Sequence, residues 1–318
     1  MRVVRIAAAG GPEVLTLDAR PTPEPGPGEV RIRVATMGVN RADALQRRGV
    51  YPAPPGVAAD VPGLEVAGVI DAVGPGAEGR VGDRVMSLVG GGGYAEAVVA
   101  HGREVMPVPA AWSDAEAGGA AEAYLTAYDA LFERAEARPG ERVLVHAVGS
   151  GVGLAALQLA KAAGLTVVGT SRTRDKLDRA VAMGLDTPVL VADGEAPAGL
   201  PEVDVVIDLV GGAWLDAGLR ALAPRGRCVL VGLLAGATAT LPLGVLLSRR
   251  LRLEGTVLRS RPIEEKIALA QAFRARGLRL LGDARPVVDT VFPAAGGAPD
   301  AHRRMEANAS FGRILLAW

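Results

Sequence analysis

From Arg2 to Trp112, short apolar runs alternate with polar residues and stop at turns dense in glycine and proline. The N-terminal stretch reads as a first strand. Val30–Ala35 alternates after Pro21, Pro23, Pro25 and Pro27, and Val66–Val73 is closed by Gly74-Pro75-Gly76. Val81–Val89 ends in Gly90–Gly93, and Tyr94–Ala100 follows. Period-two runs bounded by turn residues predict half-exposed strands, and this spacing predicts a small, partly closed β domain. Ser113, with Glu116 three residues on, has the pattern of a capping box and predicts a helix through Gly118. A second helix is predicted over Glu122–Arg134.

Beyond Arg142 the pattern changes to continuous apolar runs separated by helical spacing. Val143–Ala147 reads as a buried parallel strand, and Leu165–Thr170, Pro188–Ala192, Val203–Asp208, Arg227–Gly232 and Leu251–Leu258 read as further strands. Helices are predicted from Val152 to Gly164, over Thr173–Met183, over Trp214–Ala223 and over Ile263–Arg276 with a stop at Gly277. Six strands alternating with helices predict an α/β fold with a doubly wound parallel six-stranded sheet. From Ala284 the pattern is mixed, with a short helix at Pro299–Ala307 and a final strand at Arg313–Ala317.

Composition narrows the function classes. The chain has 318 residues, 49% hydrophobic but 3% aromatic, so Ala, Val and Leu must build its core. Lys plus Arg equal Asp plus Glu at 35 each, without a basic stripe, which argues against nucleic acid or an anionic membrane surface as a main partner. Cys228 alone allows no internal disulfide and fits a reducing, cytoplasmic setting. Cys228–Leu247 is uncharged over a transmembrane length, but Gly232, Gly236, Pro242 and Gly244 interrupt it; it reads as strand, loop and short helix.

The candidate chemistry centres on Gly149-Ser150-Gly151-Val152-Gly153, between the run Val143–Ala147 and a helix. A strand, a glycine turn and a helix N-terminus form a phosphate cradle, because the turn is tight and the helix presents free N–H groups. The glycine spacing departs from Gly-x-Gly-x-x-Gly and is a weak signal alone. The end of the next strand carries more information. NAD sites place Asp or Glu there for the ribose 2′-hydroxyl. Here the residues are Ser171, Arg172, Thr173, Arg174, Asp175 and Lys176. Hydroxyls and cations at that place favour a 2′-phosphate, hence NADP(H) over NAD(H).

The order of a β domain, a nucleotide domain and a β-like tail resembles the medium-chain dehydrogenase/reductase superfamily. Gly63-Leu-Glu65-Val-Ala-Gly68-Val-Ile70 is similar to that superfamily's Gly-x-Glu-x-x-Gly-x-Val signature, with Ile for one Val, and Val81-Gly-Asp-Arg-Val85 to its next turn. Gly38-Val-Asn40-Arg-Ala-Asp43, Gly49-Val-Tyr51-Pro52, Ala121–Tyr128 and Leu258-Arg-Ser-Arg261 resemble the zinc-free quinone oxidoreductase branch, the zeta-crystallin relatives, and most nearly its stress-inducible subgroup. Val148 and Ser150 depart from the branch, where a small residue and glycine are commoner.

This resemblance implies a GroES-like catalytic domain over residues 1–118, a Rossmann domain over 119–260 and a return to the catalytic domain over 261–318. Zinc alcohol dehydrogenases carry Cys where Asn40 stands and His where Leu64 stands. With one Cys and three scattered His, no zinc set is expected. The implied reaction is hydride transfer from NADPH to a quinone, with an activated enone or enoyl double bond as the alternative acceptor. A third reading is an NADPH-binding redox sensor or crystallin-like protein with little turnover. The resemblance puts Asn40, Asp43 and Tyr51 where substrate meets nicotinamide. Local helix capping also accounts for Asn40 and Asp43, and packing on prolines for Tyr51. On the cofactor side, Ser150, Gly151 and Val152 are expected at the pyrophosphate, and Ser171, Arg172 and Lys176 at the 2′-phosphate. Thr126 is expected near the nicotinamide ribose, with Val210, Gly211, Gly232 and Leu233 at the sheet's carboxyl edge. Leu258, Arg259 and Asn308 are carried over from the subgroup. Glu65 reads as a buried structural partner and His146 as a satisfied core histidine. The edge strand Leu251–Leu258, where relatives pair, implies a homodimer.

Overall fold

The computed structural model describes residues 1–318. Residues 1–125, 258–279 and 285–318 form one unit, and residues 126–257 with 280–284 a second.

In the first unit, Arg2–Ile6 (β1) and Leu15–Ala19 (β2) pair antiparallel. Then come Glu29–Val39 (β3), helix Arg41–Arg47 (α1), Glu65–Val73 (β4), Arg84–Leu88 (β5), Ala97–His101 (β6), Met106–Pro107 (β7), helix Asp114–Gly118 (α2) and helix Ala121–Tyr128 (α3), whose residues from Thr126 on belong to the second unit. β3 has 11 residues because it serves two neighbours on one edge. Glu29–Arg33 pairs with β6, Thr36–Val39 pairs with Ile314–Ala317 near the chain end, and β4 runs along the other edge. The expected strand Val30–Ala35 is too short. Alternation fails after Ala35 because Thr36–Val39 is buried on both faces, with α2 against it: a Cβ on Gly118 would collide with Thr36. Ser113 caps α2 as the pattern predicts, its hydroxyl accepting the Glu116 N–H at 3.2 Å. Val30, Ile32, Met37, Tyr94, Ile314 and Leu316 lie in one core. Each such side chain contributes about 1.5–3 kcal/mol by leaving water.

The second unit contains Arg142–Val145 (β8), Gly151–Ala162 (α4), Thr166–Ser171 (β9), Arg174–Ala182 (α5), Thr187–Leu190 (β10), Val203–Asp208 (β11), Ala213–Ala221 (α6), Leu222–Leu230 (β12), Leu243–Arg249 (α7) and Arg252–Gly255 (β13). All six strands are parallel, in the order β10-β9-β8-β11-β12-β13. The order reverses at β8, so its carboxyl end opens at a topological switch point. Residues 191–202 cross from β10 to β11 without a helix, and β13 is the edge strand.

The chain then returns to the first unit with Ile263–Ala272 (α8), passes through Leu278–Leu281 (α9), whose last two residues belong to the second unit, and ends in the first with Val288–Pro293 (β14), Ala294–Glu306 (α10) and Arg313–Ala317 (β15). The antiparallel-rich sheet runs β14-β15-β3-β4-β5-β7, with β6 beside β3.

Several expected boundaries are corrected. Gly277 does not stop a helix: α8 widens into a π turn over Phe273–Gly277 and continues as α9. The glycine is required because the buried Phe273 ring occupies the space of its Cβ. Glu122–Arg134 is regular only to Tyr128, after which Asp129–Arg134 is a second π turn, closed by the Ala135 N–H to Ala130 carbonyl bond at 3.0 Å. Helix α10 starts at Ala294, earlier than the expected Pro299, and kinks at Ala295–Gly296. Pro299 thereby falls in the first turn after the kink, where a missing N–H costs nothing. Strand β12 begins at Leu222, but a bulge around Arg225 (φ 69°) delays regular pairing with β11 to Arg227.

Candidate active site

In the first unit the site residues gather at the N-terminus of α1. Asn40 is its N-cap, and Asp43, three residues on, accepts the Asn40 N–H at 2.8 Å and the Gly63 N–H at 2.9 Å. The capping role thus accounts for Asp43's position. Burial pushes its carboxyl up to about 6, against the pull of these two backbone hydrogen bonds. The Asn40 side chain is held as well. Its amide donates to Glu65 at 3.0 Å, and its carbonyl accepts from Arg313 at 2.8 Å. Arg313 also pairs directly with Glu65, whose second oxygen accepts the Glu122 N–H at 2.9 Å. Glu65 is therefore the buried partner its pattern implied, and it belongs to an ion pair the sequence did not reveal.

A second chain of buried groups reaches Asp43. The Tyr94 hydroxyl lies 3.4 Å from Asp43 and 3.0 Å from His302 Nε2, and His302 Nδ1 lies 3.1 Å from the Arg47 guanidinium. Arginine can only donate, so Nδ1 accepts, Nε2 carries the hydrogen, and the Tyr94 O–H is left to point at Asp43. Burial and Arg47 push His302 down to about 3, so it is neutral. Arg47, itself buried, pairs with Glu306 at 2.6 Å. Neither Tyr94 nor His302 was singled out from sequence, because each sits singly on an apolar face.

Tyr51 is half-buried, with the Arg259 guanidinium 5.2 Å from its ring centroid, in cation–π range. Its hydroxyl is pushed above the usual range, mainly by burial. Arg259 is buried and donates to the Gly90 carbonyl at 2.9 Å and to Gln46 at 2.5 Å. Leu258 beside it is buried. Asn308 adopts a left-handed φ of 53° and accepts from Arg41 at 2.5 Å.

In the second unit, Ser150 caps α4 and accepts the Gly153 N–H at 3.1 Å. Gly149 is buried, while Gly151 and Val152 are half-buried in the turn and first helical positions. A Cβ on Gly153 would stand 2.5 Å from the Ala147 carbonyl oxygen and 2.7 Å from that of Val148, so only glycine lets the helix sit this close to the strand end. The left-handed residue of the turn is Ala147 (φ 51°), not one of these glycines. At the carboxyl end of β11, Asp208 accepts the N–H groups of Val210 and Gly211 at 2.8 and 2.9 Å, shaping that turn. Its other oxygen is buried without a hydrogen-bond partner, and burial raises its carboxyl above the usual range. The sequence signal for Asp208 was an acid closing a buried strand before a glycine pair. Gly232 follows β12, its N–H donating to the Asp208 carbonyl at 3.2 Å, and Leu233 is exposed. Thr126 is buried. Ser171 is buried and accepts the Thr173 N–H at 3.3 Å, Arg172 is exposed and Lys176 half-buried.

His146 is a core histidine, but only partly satisfied. Nδ1 lies 3.2 Å from Thr170 Oγ1, the ring stands edge-on to Trp214, and Nε2 has no hydrogen-bond partner. No group of three His, Cys, Asp or Glu side chains is placed to hold a metal ion, and no helix is long and apolar enough to cross a membrane.

Residues 26–110 match the family model described as alcohol dehydrogenase GroES-like domain, and residues 151–274 the model described as zinc-binding dehydrogenase. A pikromycin polyketide synthase component of Streptomyces venezuelae is 40% identical over 71% of this chain, which spans 6% of that protein's length. A quinone oxidoreductase of Lama guanicoe is 32% identical over 99% of this chain and 97% of its own. Among solved structures, an NAD-dependent alcohol dehydrogenase superposes with TM-score 0.85 at 32% identity, covering 100% of both chains. A mycobacterial protein complexed with NADPH does so with TM-score 0.85 at 29% identity, again over 100% of both.

Proposed function

Because the chain belongs to the medium-chain dehydrogenase/reductase superfamily, together with the quinone oxidoreductases, we propose that it is an NADPH-dependent oxidoreductase that reduces a quinone without a metal. The observation that carries this reading is the pairing of two features. One unit has a nucleotide-type glycine turn with a cationic strand end, and the other has an amide, Asn40, locked by Glu65 and Arg313 where zinc relatives carry a ligand. The similarity to a quinone oxidoreductase along both whole chains supports the acceptor class.

The cradle fits a pyridine nucleotide. Gly153 gives close access to a 12-residue helix N-terminus, and the switch point is lined by the turn that Asp208 shapes. Ser150, Gly151, Val152 and Gly153 would hold the pyrophosphate, with Gly149 completing the turn. Val210, Gly211, Gly232, Leu233 and Thr126 would lie along the nicotinamide half, and Ser171, Arg172 and Lys176 would receive the 2′-phosphate. Leu258, Arg259 and Asn308 complete the proposed set. Bound NADPH supplies the hydride and both electrons.

The protein's part is to orient the acceptor and offset negative charge on the quinone oxygen. Tyr51 is the donor we assign to that oxygen, with Arg259 across its ring to favour an oxyanion nearby. Asn40 and Asp43 act by holding the α1 terminus. Both Asp43 oxygens are taken by backbone N–H groups, so it is a positioning residue and not a proton source. The overall change is quinone plus NADPH plus one proton to hydroquinone plus NADP⁺.

Nicotinamide fluorescence during titration with NADPH and with NADH, followed by addition of 1,4-benzoquinone, tests the proposal. Tight NADPH binding with quinone-dependent oxidation is expected; NADPH that binds and is never oxidised refutes it and favours the redox-sensor reading. The alternative reading is reduction of an activated C=C bond in an enone or enoyl thioester. Turnover of an enone but not of quinones would select it. We further propose a homodimer formed along the edge strand β13 in a reducing, cytoplasmic setting; a monomeric mass by light scattering at micromolar protein would refute the dimer.

A further inference from the structure

The end of β9 is where this fold recognises the adenosine ribose of a dinucleotide. The local sequence supplies no carboxylate at the strand end itself, but the neighbouring strand brings one in. β10 runs parallel to β9 with Leu190 opposite Ser171, and the Val191 N–H extends the ladder to the Ser171 carbonyl at 2.9 Å. Two residues later, Asp193 Oδ1 stands 2.6 Å from the Arg172 guanidinium. Both side chains face water, Arg172 44% and Asp193 82% exposed, so the pair opens at low cost.

We infer that Asp193 is a specificity-determining residue that lowers the preference for NADPH over NADH. It would do so by competing with the 2′-phosphate for Arg172 and by offering a ribose 2′-hydroxyl a carboxylate acceptor. The inference rests on the nucleotide reading proposed above. A 2′-phosphate is a dianion that needs the Arg172 guanidinium as donor. In the free protein that guanidinium is already matched by Asp193, and after exchange the displaced carboxylate remains beside the phosphate as a like charge. A 2′-hydroxyl is a neutral donor, and the same carboxylate serves it. Asp193 touches no reacting atom, so its effect belongs to binding and not to the hydride step.

Calorimetric titration with 2′,5′-ADP and with 5′-AMP isolates this contact, because the two probes differ only in the 2′-phosphate. Wild type should bind 2′,5′-ADP more tightly. Asp193→Asn should widen the ratio of the two dissociation constants about two- to five-fold, the range an exposed ion pair provides. Asp193→Glu, which keeps the charge, should leave the ratio near wild type, and Arg172→Ala should collapse it. A ratio unmoved by Asp193→Asn while Arg172→Ala still collapses it overturns the inference and leaves the NADPH reading standing. No discrimination between the probes in wild type and in all three variants overturns the NADPH reading itself. The Asp193 side chain lies almost entirely in solvent, so these variants should fold, and far-ultraviolet circular dichroism checks that they do.

Discussion

Arg313→Met is the sharpest probe of how the α1 terminus is held. Arg313 is 6% exposed and Glu65 fully buried. Removing the guanidinium leaves the Glu65 carboxylate in the core with two neutral donors, the Asn40 amide at 3.0 Å and the Glu122 N–H at 2.9 Å. It also strips the Asn40 carbonyl of its donor. Deleting one member of a buried pair costs about 3–5 kcal/mol. With a urea m-value of about 2–3 kcal/mol/M, the unfolding midpoint should fall by about 1–2.5 M. The double variant Glu65→Gln/Arg313→Met removes both charges, and its Gln can still accept one of the two N–H groups. It should cost about 1–3 kcal/mol, less than Arg313→Met alone in spite of the extra change. Urea unfolding by tryptophan fluorescence in a Trp214→Phe background leaves Trp112 and Trp318, both in the first unit, as reporters of the relevant part of the chain. A midpoint shift below about 0.3 M for Arg313→Met would show that the pair does not hold the terminus. So would a double variant whose cost equals the sum of the two single ones.

Two further perturbations test the remaining geometry. Asp43 titrates in the folded protein near 6, above its unfolded value of about 3.9. Its contribution to stability is therefore complete below about pH 4 and lost as pH rises through 6, about 3 kcal/mol in all. Wild type measured against Asp43→Asn by urea unfolding at pH 4 and pH 7 should show the variant gaining on wild type by that order, and a pH-independent gap would contradict it. Gly153→Ala puts a methyl group 2.5 Å from the Ala147 carbonyl oxygen, so α4 must shift away from the turn. NADPH binding by nicotinamide fluorescence should weaken at least about ten-fold, or 1.4 kcal/mol, while the urea midpoint of the first unit stays put. Unchanged NADPH affinity would remove Gly153 from the cradle.

What the sequence made legible, and what it hid, follows from how far apart interacting residues lie. The second unit could be read because each of its elements declares itself locally. A strand buried on both faces is a continuous apolar run, and a helix against it shows 3.6-residue spacing; six strands with four such helices between them leave one architecture. The Ser113 cap was legible because both partners lie within four residues. The second half of β3 was not, because double burial erases the alternation that marks a half-exposed strand. Gly277 misled because a glycine after a periodic segment has two physical meanings, a left-handed cap or room for a neighbour's ring, and only the position of Phe273 decides between them. The groups that fix Asn40 and Asp43 come from far along the chain: Arg313 meets Asn40 across 273 residues, and Tyr94 meets His302 across 208. No local pattern encodes such a pair. The same reason limited the reading of cofactor preference. The residue types at the end of β9 are cationic, but the charge there also depends on Asp193, 21 residues on, which the chain following β10 carries to Arg172. A preference inferred from one strand end is therefore a statement about half of the contact. The other half is set by which residue the adjacent parallel strand delivers at the same height of the sheet.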